Sequence, residues 1–187
     1  MNNSNRRRAA FLDRDGTIAE EVGYLNHLSR FHLFPFAAEA IRRLNEAGLA
    51  VVVVTNQAGA TRSFFPEEFI PQVHEHMVRL LAAEGARIDA IYYCPHSREQ
   101  ACDCRKPRTG LLERAAREHD LEFEGSFVVG DRYADVQMAH SAGCRGILVM
   151  TGYGRGEYQW FHDRWARQPD SVVENLLDAA DVILNHR

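Results

Sequence analysis

The chain has 187 residues, 45% of them hydrophobic and 26% charged, with a formal net charge of -4. That composition suits one folded domain with its own core and excludes wholesale disorder, and the negative balance argues against a general affinity for nucleic acid. The longest apolar run, residues 49–54, is far short of the roughly 20 needed to cross a bilayer. Only residues 9–12 separate Arg6, Arg7 and Arg8 from Asp13, too few for the apolar stretch of a signal peptide, so a cytoplasmic location is expected.

Short β-branched runs alternate with helical periodicity, which predicts an α/β fold: a parallel, Rossmann-like sheet with helices on both faces. In chain order, the arginine triplet reads as a solvated arm and residues 9–12 as the first strand. A helix follows over 37–47, with Ala40, Ile41 and Leu44 on one face and Gly48 as its stop. Residues 49–54 form the second strand. Residues 66–70 read as a separate turn, because Pro71 inside a continuous helix would lose a hydrogen bond. The second helix then runs to about residue 84, with Val73, Met77, Leu80 and Leu81 facing inward and Gly85 ending it. Strands are expected at 88–93, 127–129 and 147–149, helices at 111–119, 134–142 and 171–180, and a sixth strand at 181–184. The segment 151–169 carries Tyr153, Tyr158, Trp160, Phe161 and Trp165. Packing of these rings against the body is the expectation; a cover over the site is the alternative. No repeat or low-complexity linker divides residues 1–187, which read as a single domain.

The strongest chemical signal is Asp13-Arg14-Asp15-Gly16-Thr17, directly after the first strand. In open α/β sheets ligands bind beyond the carboxyl ends of the strands, where this loop projects both carboxylates. Two aspartates two apart can divide a phosphoryl transfer: one attacks phosphorus, the other protonates the leaving oxygen and then activates water. Gly16 permits the sharp turn after them. Strand two ends in Thr55-Asn56-Gln57, which can hold phosphoryl oxygens. Lys106-Pro107 follows strand three, where the ammonium can neutralise the transferring group. Strand four ends in Gly130-Asp131-Arg132-Tyr133-Ala134-Asp135. Asp13, the Asp15 carbonyl and Asp131 are a plausible oxygen set for Mg²⁺.

Cys94, His96, Cys102 and Cys104 form a second cluster. Three thiolates and one imidazole satisfy tetrahedral Zn²⁺ with no position left for water, so a structural zinc is expected, pinning the loop that presents Arg105 and Lys106. Cys144, near a predicted strand, reads as a small buried hydrophobe. His74 and His76, on different helix faces, read as packing or solvated residues, as do His27, His32 and His186.

The order DxDGT, strand-Thr, Lys-Pro, GDxxxD resembles the haloacid dehalogenase superfamily over most of the chain. Asp13–Thr17, Gly23-Tyr24, Val54-Thr55-Asn56-Gln57, Cys94-Pro95-His96 and Cys102–Pro107 look like the bacterial heptose-bisphosphate phosphatases. That resemblance implies a Mg²⁺-dependent phosphatase with a structural Zn²⁺, hydrolysing the 7-phosphate of D-glycero-D-manno-heptose 1,7-bisphosphate on the route to lipopolysaccharide core or S-layer sugars. It further implies Asp13 as nucleophile, Asp15 as general acid/base, Thr55 and Lys106 as charge stabilisers, and substrate contacts from Arg14, Glu21, Val22, Gly23, Tyr24, Asn56, Gln57, Ala58, Arg105 and Arg132. The chain differs from that pattern at Ala58, at Ser63-Phe64-Phe65 and in its short His96–Cys102 spacing.

About thirty residues separate Thr17 from strand two, which leaves no room for a large cap domain. A small phosphorylated sugar is therefore the expected substrate, with neither nucleic acid nor membrane as partner, and a monomer is expected. Histidinol-phosphate phosphatase shares the catalytic frame and a similar zinc loop, and is the rival enzyme reading. A noncatalytic, zinc-stabilised binding module is the rival of another class; it would have no need of Asp13, Asp15 and Asp131 together.

Overall fold

The computed structural model of the chain describes residues 6–186. Six strands, β1 (Arg7–Leu12), β2 (Ala50–Asn56), β3 (Ala90–Cys94), β4 (Leu121–Gly130), β5 (Arg145–Val149) and β6 (Ser171–Val173), form one sheet in the order β3-β2-β1-β4-β5-β6. Every pairing is parallel. The helices are α1 (Ala37–Glu46), α2 (Phe69–Ala83), α3 (Gly110–His119), α4 (Tyr133–Ala142), α5 (Gly154–Phe161) and α6 (Leu176–Asn185), with short 3-10 turns at Leu28–Arg30 and His162–Arg164.

Side-chain alternation along the strands feeds two apolar layers. Ala10 and Leu12 of β1 with Val51 and Val53 of β2 face Ile41 and Leu44 of α1, Met77 and Leu81 of α2, and Ala179 and Ile183 of α6. Ala9, Phe11, Val52 and Val54 face the other way, onto Leu112 and Ala115 of α3 and Met138 and Ala139 of α4. Each Leu, Ile or Met so buried contributes about 1.5–3 kcal/mol, so the central strands are the most securely held part of the chain. The chain moves outward from β1 to β3 and then returns to place β4 beside β1. The crevice beyond the ends of β1 and β4 is thus the topological switch point at which ligands bind in such sheets.

Several boundaries differ from the sequence expectation. Arg7 and Arg8 belong to β1 and pair with Leu121 and Glu122, so two of the triplet extend the sheet, while Arg6 precedes it as an exposed residue 3.1 Å from Asp120. β4 runs six residues further upstream than expected, across a register shift beside Gly125. At the C-terminus the two assignments exchange. Residues 171–173 are the edge strand, and 181–184 lie within α6, because Asn175 accepts from Leu177 N–H and Asp178 N–H and so starts the helix there. Pro71 is compatible with α2 because it occupies the first turn, where its missing N–H has no intrahelical partner to lose.

Candidate active site

Asp13 is the first residue past β1. Its N–H donates to Val129 O at 2.9 Å, and its Oδ1 accepts the Arg14 N–H at 2.7 Å, which fixes the carboxylate at the switch point. Lys106 Nζ lies 2.9 Å from Asp13 Oδ2 and 2.6 Å from Asp135 Oδ1, and also donates to Val54 O at 3.2 Å. Burial by itself would make this ammonium shed its proton more easily, but Asp13 and Asp135 more than reverse that, and Lys106 stays charged.

Asp131 is the first residue past β4 and is only 1% exposed. Its Oδ2 accepts the Tyr153 N–H at 2.8 Å. Burial, reinforced by the charge of Asp13, pushes its carboxyl up to about 9. Asp135, in the first turn of α4, is fully buried. Burial raises its carboxyl and Lys106 opposes the rise, leaving it at about 6. Carboxylate oxygens of Asp13, Asp131 and Asp135 all lie within 4.8 Å of one another. One ammonium among three buried carboxylates leaves negative charge uncompensated, and the donors are all hard oxygens; both facts fit a divalent cation such as Mg²⁺. Both Asp135 oxygens are engaged, one by Lys106 and one by the Arg132 N–H at 3.2 Å. Asp135, fully buried, thus helps to hold the lysine, and Asp13 and Asp131 are the carboxylates of the group that could offer oxygens to a cation.

Asp15 is arranged differently. Its Oδ1 accepts from Arg14 Nε at 3.0 Å and Nη2 at 2.9 Å, and its Oδ2 accepts from Arg14 Nη2 and Gln57 Nε2, both at 2.7 Å. Gln57 also donates to Thr55 Oγ1 at 2.9 Å. Charge-assisted bonds of this kind orient the Asp15 carboxylate firmly.

The expected zinc ligands converge. Cys94 Sγ is 3.8 Å from Cys102 Sγ, 3.1 Å from Cys104 Sγ and 3.5 Å from His96 Nδ1, which is 3.2 Å from Cys104 Sγ. Sulfurs about 2.3 Å from a tetrahedral Zn²⁺ stand about 3.8 Å apart, so the cluster closes around such an ion with little movement. Burial drives the Cys94 thiol up to about 12, a cost that a bound cation offsets by holding the thiolate. The loop carries its geometry to the acidic site: Arg105 Nη1 donates to His96 O at 2.8 Å, and Lys106 N–H donates to Asn56 Oδ1 at 3.2 Å.

A family profile described as HAD-hydrolase-like matches residues 103–179. A D-glycero-D-manno-heptose-1,7-bisphosphate 7-phosphatase of Thermosynechococcus vestitus is 41% identical, over 96% of this chain and 97% of its own. A D-glycero-beta-D-manno-heptose-1,7-bisphosphate 7-phosphatase of Pasteurella multocida is 39% identical over 95% and 97%. The crystal structure of D,D-heptose 1,7-bisphosphate phosphatase from B. bronchiseptica, complexed with magnesium and phosphate, superposes with a TM-score of 0.88 at 34% identity, covering 96% of this chain and 99% of that one. The chain belongs to the heptose-bisphosphate phosphatases of the haloacid dehalogenase superfamily.

A cavity of about 810 Å³ opens over the acidic cluster. Among the residues expected to touch substrate, Glu21, Gly23, Tyr24, Asn56, Gln57, Ala58, Arg105 and Arg132 line it, together with Asp13, Asp15, Thr55, Lys106 and Asp131. Arg14 and Val22 do not. Arg14 is 1% exposed and spends its guanidinium on Asp15, and Val22 packs against the core while its carbonyl accepts from Arg30. Burial, with Asp15 adding to it, raises the Glu21 carboxyl to about 7.

The segment 151–169 combines the two readings, packing on the body through Trp165 on Tyr133 of α4 and lining the cavity with others of its rings. Its rings pack on one another and on Tyr133 rather than into the core: Trp165 stacks on Tyr133 with centroids 4.3 Å apart, and Trp160 is 68% exposed. Tyr153, Glu157, Phe161 and Trp165 form one wall of the cavity, facing a rim where Tyr24 stacks on Phe64 at 4.1 Å. Gly16 and Gly152 both have positive φ, and a Cβ at either would collide with the Asp131 carboxylate, so close backbone approach encloses that ligand. Asp135, Gly152 and Glu157 were not singled out from the sequence. Only Asp135 carried a signal, its place in the GDxxxD pattern. Cys144 is buried, with its thiol raised to about 12 by burial, and His74 is buried against Tyr93; neither reaches the cavity.

Proposed function

We propose that the chain hydrolyses the 7-phosphate of D-glycero-D-manno-heptose 1,7-bisphosphate in heptose nucleotide precursor synthesis, leaving the 1-phosphate. The observation that carries this reading is the juxtaposition of Asp13, Lys106 and the buried Asp131 at the switch point, beneath a cavity with arginines 105 and 132 above it. Asp13 attacks phosphorus in line and forms an aspartyl-phosphate, while Asp15 protonates the departing sugar oxygen. The leaving oxygen takes the place of one of the donors that now occupy Asp15. Asp15 then removes a proton from water as it cleaves the aspartyl-phosphate. Lys106, held by Asp135, and Thr55 stabilise the equatorial phosphoryl oxygens. Asp13, Asp131 and the Asp15 carbonyl would hold Mg²⁺, which when bound would supply Lewis-acid neutralisation of the transferring group.

Arg105 and Arg132 suit the second phosphate, since planar guanidinium groups pair with phosphate oxygens two at a time. Cys94, His96, Cys102 and Cys104 would hold Zn²⁺, which would keep the loop that carries Arg105 and Lys106 in place. Four free cysteines accord with a reducing cytoplasm. Among the described residues no helix is long and apolar enough to cross a membrane. Phosphate release from the heptose bisphosphate, histidinol phosphate and p-nitrophenyl phosphate, with and without Mg²⁺, tests the proposal. The heptose bisphosphate is expected to give the highest kcat/KM and to require Mg²⁺. A preference for histidinol phosphate would overturn the substrate, and Mg²⁺-independent turnover would overturn the mechanism.

A further inference from the structure

We propose that Glu157 is a positioning residue that aims Arg132 into the cavity, and that it thereby sets the preference for a substrate bearing a second phosphate. This role rests on the bisphosphate reading above. Glu157 lies on α5, its side chain 20% exposed, and both of its oxygens are committed. Oε1 is 2.6 Å from Arg132 Nε, and Oε2 accepts the N–H of Tyr133, the first residue of α4, at 2.7 Å. The Arg132 guanidinium also lies over the Tyr153 ring, 4.3 Å from its centroid. The arginine is thus gripped through Nε from one side and by a ring face from another. Among the described residues its two terminal nitrogens donate to no other group.

An arginine on a cavity wall loses rotamer freedom when it takes a ligand, and that loss weakens binding. Here the freedom is already removed, and the nitrogens left over are the pair that a phosphate meets side by side. The same stretch of chain also sets where the reacting end lies, because Tyr153 N–H donates to Asp131 Oδ2 at 2.8 Å. Residues 153–157 therefore register Asp131 and Arg132 together, which fixes the span between the phosphoryl group that reacts and the one that is held. A sugar monophosphate gains nothing from this arrangement.

The test is Glu157→Gln, which keeps the size of the side chain and removes its charge. For D-glycero-D-manno-heptose 1,7-bisphosphate relative to p-nitrophenyl phosphate, the ratio of kcat/KM is expected to fall about tenfold, through KM, as loss of one charge-assisted contact implies. In an Arg132→Ala background the same change is expected to add nothing further, because Glu157 acts through that arginine. Equal losses on both substrates, or a full effect persisting without Arg132, would overturn the proposal. Should Glu157→Gln fail to fold, Tyr153→Leu removes the ring while sparing the backbone bond to Asp131, and the same ratio is read. A wild-type protein with no preference for the bisphosphate fails the substrate reading before any variant is made, and removes the ground of this proposal with it.

Discussion

The molecule holds two ligand clusters side by side, built in opposite ways. The acidic cluster draws Asp13 from the end of β1, Asp131 and Asp135 from the end of β4, and Lys106 from the loop after β3, so residues over a hundred positions apart meet in a buried site. The cysteine–histidine cluster takes all four ligands from one stretch, residues 94–104, and only Cys94 is fully buried. The carboxylates proposed to do chemistry stand just past the ends of sheet strands, with Lys106 brought in from the loop after β3, and burial there raises Asp131. Groups suited only to hold a loop are collected locally, where a metal ion would supply the stability that packing does not. Arg105 and Lys106 are where the two meet.

The sharpest break between the regions is Asp13→Asn. An amide cannot form the acyl-phosphate, so turnover is expected to fall by about 10⁴-fold or more. The thermal midpoint should hardly move, since Lys106 keeps Asp135 as its partner. Activity above a few per cent of the wild-type level would show that another group attacks phosphorus.

Asp15→Asn comes next, with an expected loss of about 10²–10⁴-fold on substrates with poor leaving groups and a smaller loss on aryl phosphates. Equal losses on the two substrates would argue for a purely structural contact with Arg14. In the other region, Cys102→Ser is expected to lower the zinc content, measured by elemental analysis, from about one per chain. The thermal midpoint should fall by several degrees, about 2–4 °C per kcal/mol in a domain of this size. Activity should drop only a few-fold, through the loosened Arg105–Lys106 loop; unchanged metal content and stability would mean these thiols hold no ion.

The smallest effect concerns pH. Asp131 and Asp135 are both raised by burial, to about 9 and about 6, so the folded protein keeps protons that the unfolded chain releases near pH 4. The stability this confers is complete below about pH 4 and is lost as pH rises through about 6 and then about 9. In Mg²⁺-free buffer without chelator, the thermal midpoint should decline across that window. Added Mg²⁺ should restore it more at pH 8 to 9 than at pH 5, because it takes the place of the bound protons. A Mg²⁺ effect independent of pH would place the cation away from Asp131.

Local pattern carried a good deal of this. The β-branched runs and the 3.6-residue periodicity marked five of the six strands and the helices between them, because burial on a sheet or a helix face leaves its period in the chain. The zinc ligands were legible for a related reason: their spacing within residues 94–104 is itself the geometry. Pattern failed where neighbours in space are distant in sequence or where two local preferences compete. Residues 171–184 satisfy both a strand and a helix, and the choice fell to pairing with β5 and to the Asn175 cap. Arg14, beside two site aspartates, reads as a substrate contact, yet the fold turns it inward to hold Asp15.

By itself, then, the sequence marked five of the six strands and the groups proposed to react, Asp13, Asp15, Lys106 and Asp131, each by what immediately surrounds it, while their order in the sheet came from the fold. Tertiary structure alone decided which neighbours hold the site's charged groups. Asp135 is the partner of Lys106 because α4 begins beside the loop after β3, and Glu157 meets Arg132 because α5 folds back over the end of β4. The physical reason is that charge pairing depends on distance in space, which falls off within a few ångströms and leaves no periodic trace along the chain.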